Sequence, residues 1–100
     1  MTYRLLAVAE EELAAAAIWY ETQASGLGGE FLDEFEAVME RIMQSPNAWK
    51  RVGFRHRRCL LRRFPYGVLY SLSGTDIRVS GVIDLRRDPQ RTEQRMKDAL

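Results

Sequence analysis

The chain has 100 residues, of which 46% are hydrophobic and 29% are charged, an ordinary composition for a soluble globular protein. This length predicts one domain spanning 1–100. The longest apolar run near the start, 5–9, is cut short by the glutamates at 10–12, so we expect neither a secretory segment nor a membrane span there, and a cytoplasmic protein. The one cysteine, Cys59, rules out an internal disulfide and favours a small core residue over a reactive thiol.

The net charge of +1 conceals two halves of opposite sign. Residues 1–49 carry nine acids against two arginines, and residues 50–100 carry thirteen lysines or arginines against five acids. A basic surface attracts phosphate or acidic protein, whereas an acidic helical face mainly keeps a protein soluble. The alternative is that the two halves neutralise each other across the fold.

The first half predicts a strand and then two helices. Residues 2–7 alternate as in a short strand, and from Ala9 to near Gln23 alanines and apolar residues recur at helical spacing. The glycine-rich stretch 24–29 is a link so short that the helices must be antiparallel neighbours. The second helix ends at Ser45-Pro46 and has one apolar stripe, which we interpret as core rather than as a cofactor pocket. The stripe consists of Phe31, Phe35, Val38 and Ile42.

The second half predicts strands. After a connection at 48–53, three strands span 55–64, 66–72 and 77–85. The Phe-Pro-Tyr-Gly segment between the first two is a hairpin turn, since proline gives up a backbone donor and glycine accepts positive φ. Arg62 and Arg63 precede the turn within the strand, so one guanidinium should face the core side and the other solvent.

The last predicted strand has two different faces. One face carries Ile77, Val79, Gly81, Ile83 and Leu85, and the other carries Arg78, Ser80, Val82, Asp84 and Arg86. Residues 91–100 contain enough helix formers for a short C-terminal helical tail. The predicted fold class is α+β, with an N-terminal strand and an antiparallel helical hairpin packed on one face of a small, mainly antiparallel sheet.

This order of elements, with a set of short segments spread along nearly the whole chain, resembles the RelE/ParE superfamily of bacterial toxins. The segments are Trp19-Tyr20-Glu21, Gly26-Leu27-Gly28 before Phe31, Ile42 before Pro46, Arg58, Leu60 to Tyr66, Tyr70, and Val82 before Arg86-Arg87-Asp88-Pro89.

The resemblance implies the growth-inhibiting toxin of a type II toxin-antitoxin, or plasmid stabilisation, module. A cognate antitoxin, whose extended C-terminal segment wraps around the toxin in a hetero-oligomer, would neutralise it. RelE-like members resemble ribosome-dependent endoribonucleases that cut mRNA, whereas ParE-like members look like inhibitors of DNA gyrase. The strand at 2–7, the outer surface of the helical hairpin and the arginine-bearing face are the expected docking places for the antitoxin.

The resemblance also implies a face that binds the target or its phosphates, formed by Arg58, Arg62, Arg63, Arg86 and Arg87. Arginines stabilise phosphate charge but cannot carry protons in RNA cleavage. Relatives commonly have histidine where Asp84 stands and an aromatic where Thr92 stands, and no tyrosine or histidine follows Asp84 here. This departure favours the gyrase-directed activity over cleavage. A degenerate, non-toxic member is the third reading.

A ribonuclease would have to use Arg62, Arg63 and Arg86 with a proton carrier chosen from Tyr66, His56 and Asp84. Each has a simpler interpretation. We expect Tyr66 to be a core residue whose hydroxyl reaches solvent, and Asp84 to pair with Arg86 within the sheet. His56 reads as a surface histidine whose charged form is disfavoured by neighbouring arginines. No motif implies a metal or another cofactor.

Overall fold

The computed structural model describes residues 1–87. Its elements are β1 (Thr2–Leu5), α1 (Ala7–Gln23), α2 (Leu27–Gln44), β2 (Lys50–Val52), β3 (His56–Leu60), β4 (Tyr66–Ser73) and β5 (Asp76–Asp84). The predicted tail at 91–100 and Thr92 lie outside the described residues. Neither helix of the described part is long and apolar enough to cross a membrane.

The five strands form one sheet in the order β1-β5-β4-β3-β2. Strands β2 to β5 are antiparallel neighbours in sequence, and β1 lies at one edge, parallel to β5. A parallel partner requires a crossover, which the helical hairpin provides between β1 and the rest of the sheet. The predicted α+β class, with an N-terminal strand and an αα-hairpin, is confirmed.

The core lies between the hairpin and one face of the sheet. The apolar stripe of α2 is buried, which confirms its interpretation as core. Phe31 lies at the centre of an aromatic cluster, with its ring centroid 5.3 Å from that of Tyr20 and 5.1 Å from those of Phe64 and Tyr66. Cys59 is buried as a core residue, as predicted. The cluster joins both helices to the β3–β4 loop and to the start of β4.

The helix-to-helix link is tight because of its glycines and one carboxylate. Gly26 has a φ of 87°, in the left-handed region that glycine tolerates. The Glu21 carboxylate accepts hydrogen bonds from the backbone N–H of Gly26, at 2.9 Å, and of Gly28, at 3.0 Å. A Cβ at Gly28 would lie 2.5 Å from the carbonyl oxygen of Ala17. The helices can therefore approach this closely only with glycine at position 28.

Two predictions about the region from 48 to 63 were wrong. The connection at 48–53 contains the short strand β2, which pairs with β3. Strand β3 ends at Leu60, so Arg62 and Arg63 lie in the β3–β4 loop and both are exposed, not divided between core and solvent. The loop is closed by hydrogen bonds from the N–H of Leu61 to the carbonyl of Tyr66 and from the N–H of Tyr66 to the carbonyl of Phe64.

A β-bulge in β5 overturns the predicted facing of its second half. Leu69 pairs with Gly81 whereas Tyr70 pairs with Val79, so Ser80 is the extra residue. Val79 and Val82 consequently both face the helices and are buried. Asp84, which pairs with the core residue Tyr66, lies on the helix side too. Val82 and Asp84 therefore do not share a face with Arg78.

Candidate functional site

Asp84 and Arg86 form a tightly held pair where β5 ends. Nε and Nη2 of Arg86 donate to Oδ1 and Oδ2 of Asp84, both at 3.0 Å, and the backbone N–H of Arg86 donates to Oδ1 at 3.0 Å. Arg87 Nε lies 3.9 Å from Oδ2. The hydrogen bonds from Arg86 lower the pKa of Asp84 and raise the pKa of Arg86. The predicted pair of Asp84 and Arg86 is present, although Arg86 lies beyond the end of β5 rather than within the sheet, and both carboxylate oxygens accept hydrogen bonds.

Three aromatic side chains surround this pair. The Arg86 guanidinium lies 5.9 Å from the ring centroid of Trp19, a cation–π distance, and Trp19 is 47% exposed. Tyr66 stands opposite Asp84 in the β4–β5 ladder and is buried, as predicted. Burial raises the pKa of Tyr66 and of Tyr20, and the positive charge of Arg86 opposes the rise. Both phenols therefore keep their protons at neutral pH. Together, Trp19, Tyr20, Tyr66, Asp84, Arg86 and Arg87 form the Asp84 corner.

The β3–β4 loop places two more predicted arginines at the same end of the sheet. The Pro65 carbonyl accepts a hydrogen bond from the N–H of Leu85, at 2.9 Å, which ties the loop to the end of β5. Arg63 is paired with Glu30 at 3.1 Å and donates its N–H to Glu34 at 2.6 Å. Arg62 is exposed and makes no hydrogen bond or ion pair within residues 1–87. Arg62 therefore has its charge available to a partner.

Arg58 lies apart from the Asp84 corner. It is the strand neighbour of the core residue Cys59 and so points away from the helices. Its side chain packs over Gly67, because a Cβ added at position 67 would lie only 3.2 Å from Arg58 Cγ. The Arg58 Nε is buried and has no hydrogen-bond partner in the described part of the chain. The structure thus divides the five predicted arginines between a corner, a loop and the opposite face of the sheet.

His56 is far from the other proposed proton carriers. It is 5% exposed, so the prediction of a surface histidine was wrong. Burial lowers the pKa of His56; the direction agrees with the prediction, but desolvation is the cause rather than the neighbouring arginines. His56 pairs with Ser71, five residues along β4 from Tyr66, a separation of about 17 Å at the rise of a strand.

The sequence did not predict which side chains α1 contributes to the Asp84 corner and to the bulge in β5. Trp19 and Tyr20 were noticed only as part of a family segment, yet they contact Arg86 and Tyr66. Glu12 was assigned only to the helix start, yet its carboxylate accepts a hydrogen bond from the N–H of Val82 at 3.0 Å. Both roles depend on how α1 docks on the sheet, which has no local signal in the sequence.

Comparison with known proteins supports the fold. No family model and no curated protein matches the sequence. Among solved structures, the fold is similar to that of a chain in the structure described as the chromosomal ParDE TA system from P. aeruginosa, with a TM-score of 0.64 and 16% identity. The match covers 85% of this chain and 96% of that one. The likeness thereby supports the predicted fold.

Proposed function

We propose that this chain is the toxin of a type II toxin-antitoxin module, that a cognate antitoxin neutralises it, and that it acts on DNA gyrase in the ParE-like manner. The fold similarity to a chain of a ParDE system supports the toxin-antitoxin part. Arg62, Arg86 and Arg87 would bind the target directly, and Arg63 and Arg58 would lie at the edge of the binding surface. The proposal places the protein in the cytoplasm, as one domain, in a hetero-oligomer with its antitoxin.

The engagement of Asp84 is the observation that favours binding over catalysis. A general base needs a lone pair within reach of the proton that it removes. Both oxygens of Asp84 already accept hydrogen bonds from Arg86, and the lowered pKa makes this carboxylate a weak base. The side chain is also only 14% exposed. Asp84 is therefore suited to hold Arg86 in place for a target.

The other two proton carriers are no better placed. Tyr66 has a raised pKa and is buried, and His56 lies about 17 Å away along β4. Acid and base would have to flank a single scissile phosphate, and these residues do not converge on one point. A toxin that acts by holding a protein needs only the exposed arginines and the half-exposed indole of Trp19.

A ribosome-dependent endoribonuclease is the second candidate. One interaction favours it, because the positive charge of Arg86 opposes the rise in the pKa of Tyr66. A cation beside a phenol is an arrangement that can promote proton transfer. Arg86 and Tyr66 would then be the residues on which cleavage depends.

Two measurements on the same protein separate these candidates. Purified chain is titrated into a supercoiling reaction of relaxed plasmid, DNA gyrase and ATP, with a topoisomerase I relaxation reaction as the control. In parallel, the chain is induced in a bacterial host and new mRNA 5′ ends are mapped. We expect loss of supercoiling, growth arrest and unchanged 5′ ends. New ends within codons together with normal supercoiling would establish the ribonuclease instead, and absence of arrest would indicate a non-toxic member.

A further inference from the structure

A second basic surface lies at the opposite end of the sheet from the Asp84 corner. There the β2–β3 turn, the start of β3 and the β4–β5 hairpin enclose a groove of about 500 Å³, within the range of small-ligand sites. Four arginines line it, namely Arg51, Arg55, Arg57 and Arg78, and its described lining contains no acidic residue. We call it the Arg78 groove.

The charges in the Arg78 groove are not neutralised within the described chain. Arg51 donates to the carbonyl of Phe54 at 3.0 Å and Arg57 to the carbonyl of Trp49 at 2.9 Å, and both acceptors are uncharged. None of the four arginines forms an ion pair with a carboxylate of residues 1–87, whereas Arg63 and Arg86 do. Four arginines without a carboxylate partner around one groove attract an anion.

An exposed aromatic ring stands at the rim of the groove. Phe54 is 76% exposed, at the tip of the turn in which Gly53 has a φ of 72°. The hydrogen bond from Arg51 to the Phe54 carbonyl fixes this turn. The backbone that carries the Phe54 ring is therefore fixed, and the ring itself is exposed to solvent. A phenylalanine so exposed loses the benefit of burial, and nothing in the described core depends on it.

We propose that the Arg78 groove binds single-stranded nucleic acid, with its arginines contacting phosphates and a base stacked on Phe54. Proteins that bind single strands combine a positive groove with aromatic platforms in this way. The arginines account for an acidic peptide equally well, but the exposed ring beside them favours a ligand with flat, stackable groups. The site uses none of the arginines assigned above to the toxin's target and does not depend on that assignment.

Binding of a fluorescein-labelled 12-nucleotide thymidine strand to the full-length chain, followed by anisotropy at several salt concentrations, tests this site. Four phosphate contacts predict a slope of log K against log salt of about −3. A 12-residue polyglutamate should fail to displace the strand at equal charge concentration. Displacement at equal concentration, or a slope near zero, would overturn the proposal.

Matched variants identify the groove as the place of binding. Replacing both Arg55 and Arg78 by glutamine should reduce the slope to about −1.5, whereas replacing both by lysine should leave it near −3. Phe54→Ala should weaken binding by about fivefold or more without changing the slope, and Phe54→Trp should restore it. An unchanged slope in the folded double glutamine variant would place the strand elsewhere and refute the site. None of these readouts involves gyrase, so they remain informative if the proposed target is wrong.

Discussion

The carboxylate of Asp84 receives three hydrogen bonds from Arg86, two from the guanidinium and one from the backbone, all at 3.0 Å. This arrangement fixes a long, otherwise mobile side chain over the ring of Trp19. A guanidinium that is already ordered loses less entropy when it meets a target than a free one does. The pair thus both stabilises the end of β5 and holds Arg86 in one conformation for the proposed binding surface.

Asp84→Asn should destabilise the fold by about 1 kcal/mol at pH 7, because the variant loses the charge-assisted bonds to Arg86. The folded-state pKa of Asp84 is lowered, so its contribution is complete above the unfolded pKa, near 4, and is lost as pH falls through the folded value. Thermal melts of both proteins at pH 7 and pH 2.5 measure this. An equally large difference in Tm at both pH values would contradict the ion-pair account.

Arg62→Glu should abolish or strongly reduce toxicity and leave the fold intact, since Arg62 is exposed and makes no hydrogen bond or ion pair within residues 1–87. Reversal of a charge at an interface slows association and repels an acidic partner surface. Arg4→Glu, at an exposed position on the edge strand β1, is the matched control and should remain toxic. Growth arrest and gyrase inhibition are the readouts. Full toxicity of the Arg62 variant would exclude this arginine from target binding.

The parts of the fold that were predictable are those with local signals. The stripe from Phe31 to Ile42 follows from helical spacing. The ion pair of Asp84 with Arg86 was anticipated from residues two apart, although β5 ends at Asp84 and Arg86 lies beyond it. The three-residue strand β2 escaped prediction because it exists through its pairing with β3, not through its own pattern. Ser80 carries no mark of a bulge, yet it reverses the facing of Val82 and Asp84.

The candidate site was less predictable than the fold. Asp84, Arg86 and Tyr66 come together because the β4–β5 register is set by a bulge, and Trp19 joins them because α1 docks across that end of the sheet. Burial of His56 depends equally on its neighbours in space. A single sequence identifies such residues as candidates, but only their packing decides which of them meet.

Gly28→Ala should destabilise the helical hairpin by about 2 kcal/mol or more, because the added Cβ would lie 2.5 Å from the Ala17 carbonyl oxygen and would push the helices apart. Gly29→Ala is a control of the same chemistry one residue away. Its Cβ would meet nothing within 4 Å, and alanine favours helix, so stability should rise by up to about 1 kcal/mol. Urea unfolding measures both. Equal effects of the two substitutions would show that the close approach at Gly28 is unimportant.

Glu12→Ala should cost about 1–2 kcal/mol, since the N–H of Val82 next to the bulge would lose its acceptor in a partly buried place. Glu11→Ala is the matched control, on the exposed side of the same turn of α1, and should change stability by less than about 0.5 kcal/mol. Amide hydrogen exchange at Val82 provides a local readout, and it should accelerate in the Glu12 variant alone. Unaltered exchange at Val82 would mean that this carboxylate does not secure the bulge.

The buried imidazole of His56 should make the protein less stable in mild acid. Burial lowers its pKa below the ordinary value of 6.5, so the unfolded chain binds this proton first as pH falls. The stabilising contribution is therefore complete above pH 6.5 and decreases as pH falls through the folded-state pKa. Tm should fall between pH 7.5 and 5 in the natural sequence and fall less in His56→Gln. This window lies above the titration of the carboxylates, so the difference between the two proteins isolates the histidine. Parallel Tm profiles over the same window would show that His56 is as accessible to protons in the folded chain as in the unfolded one.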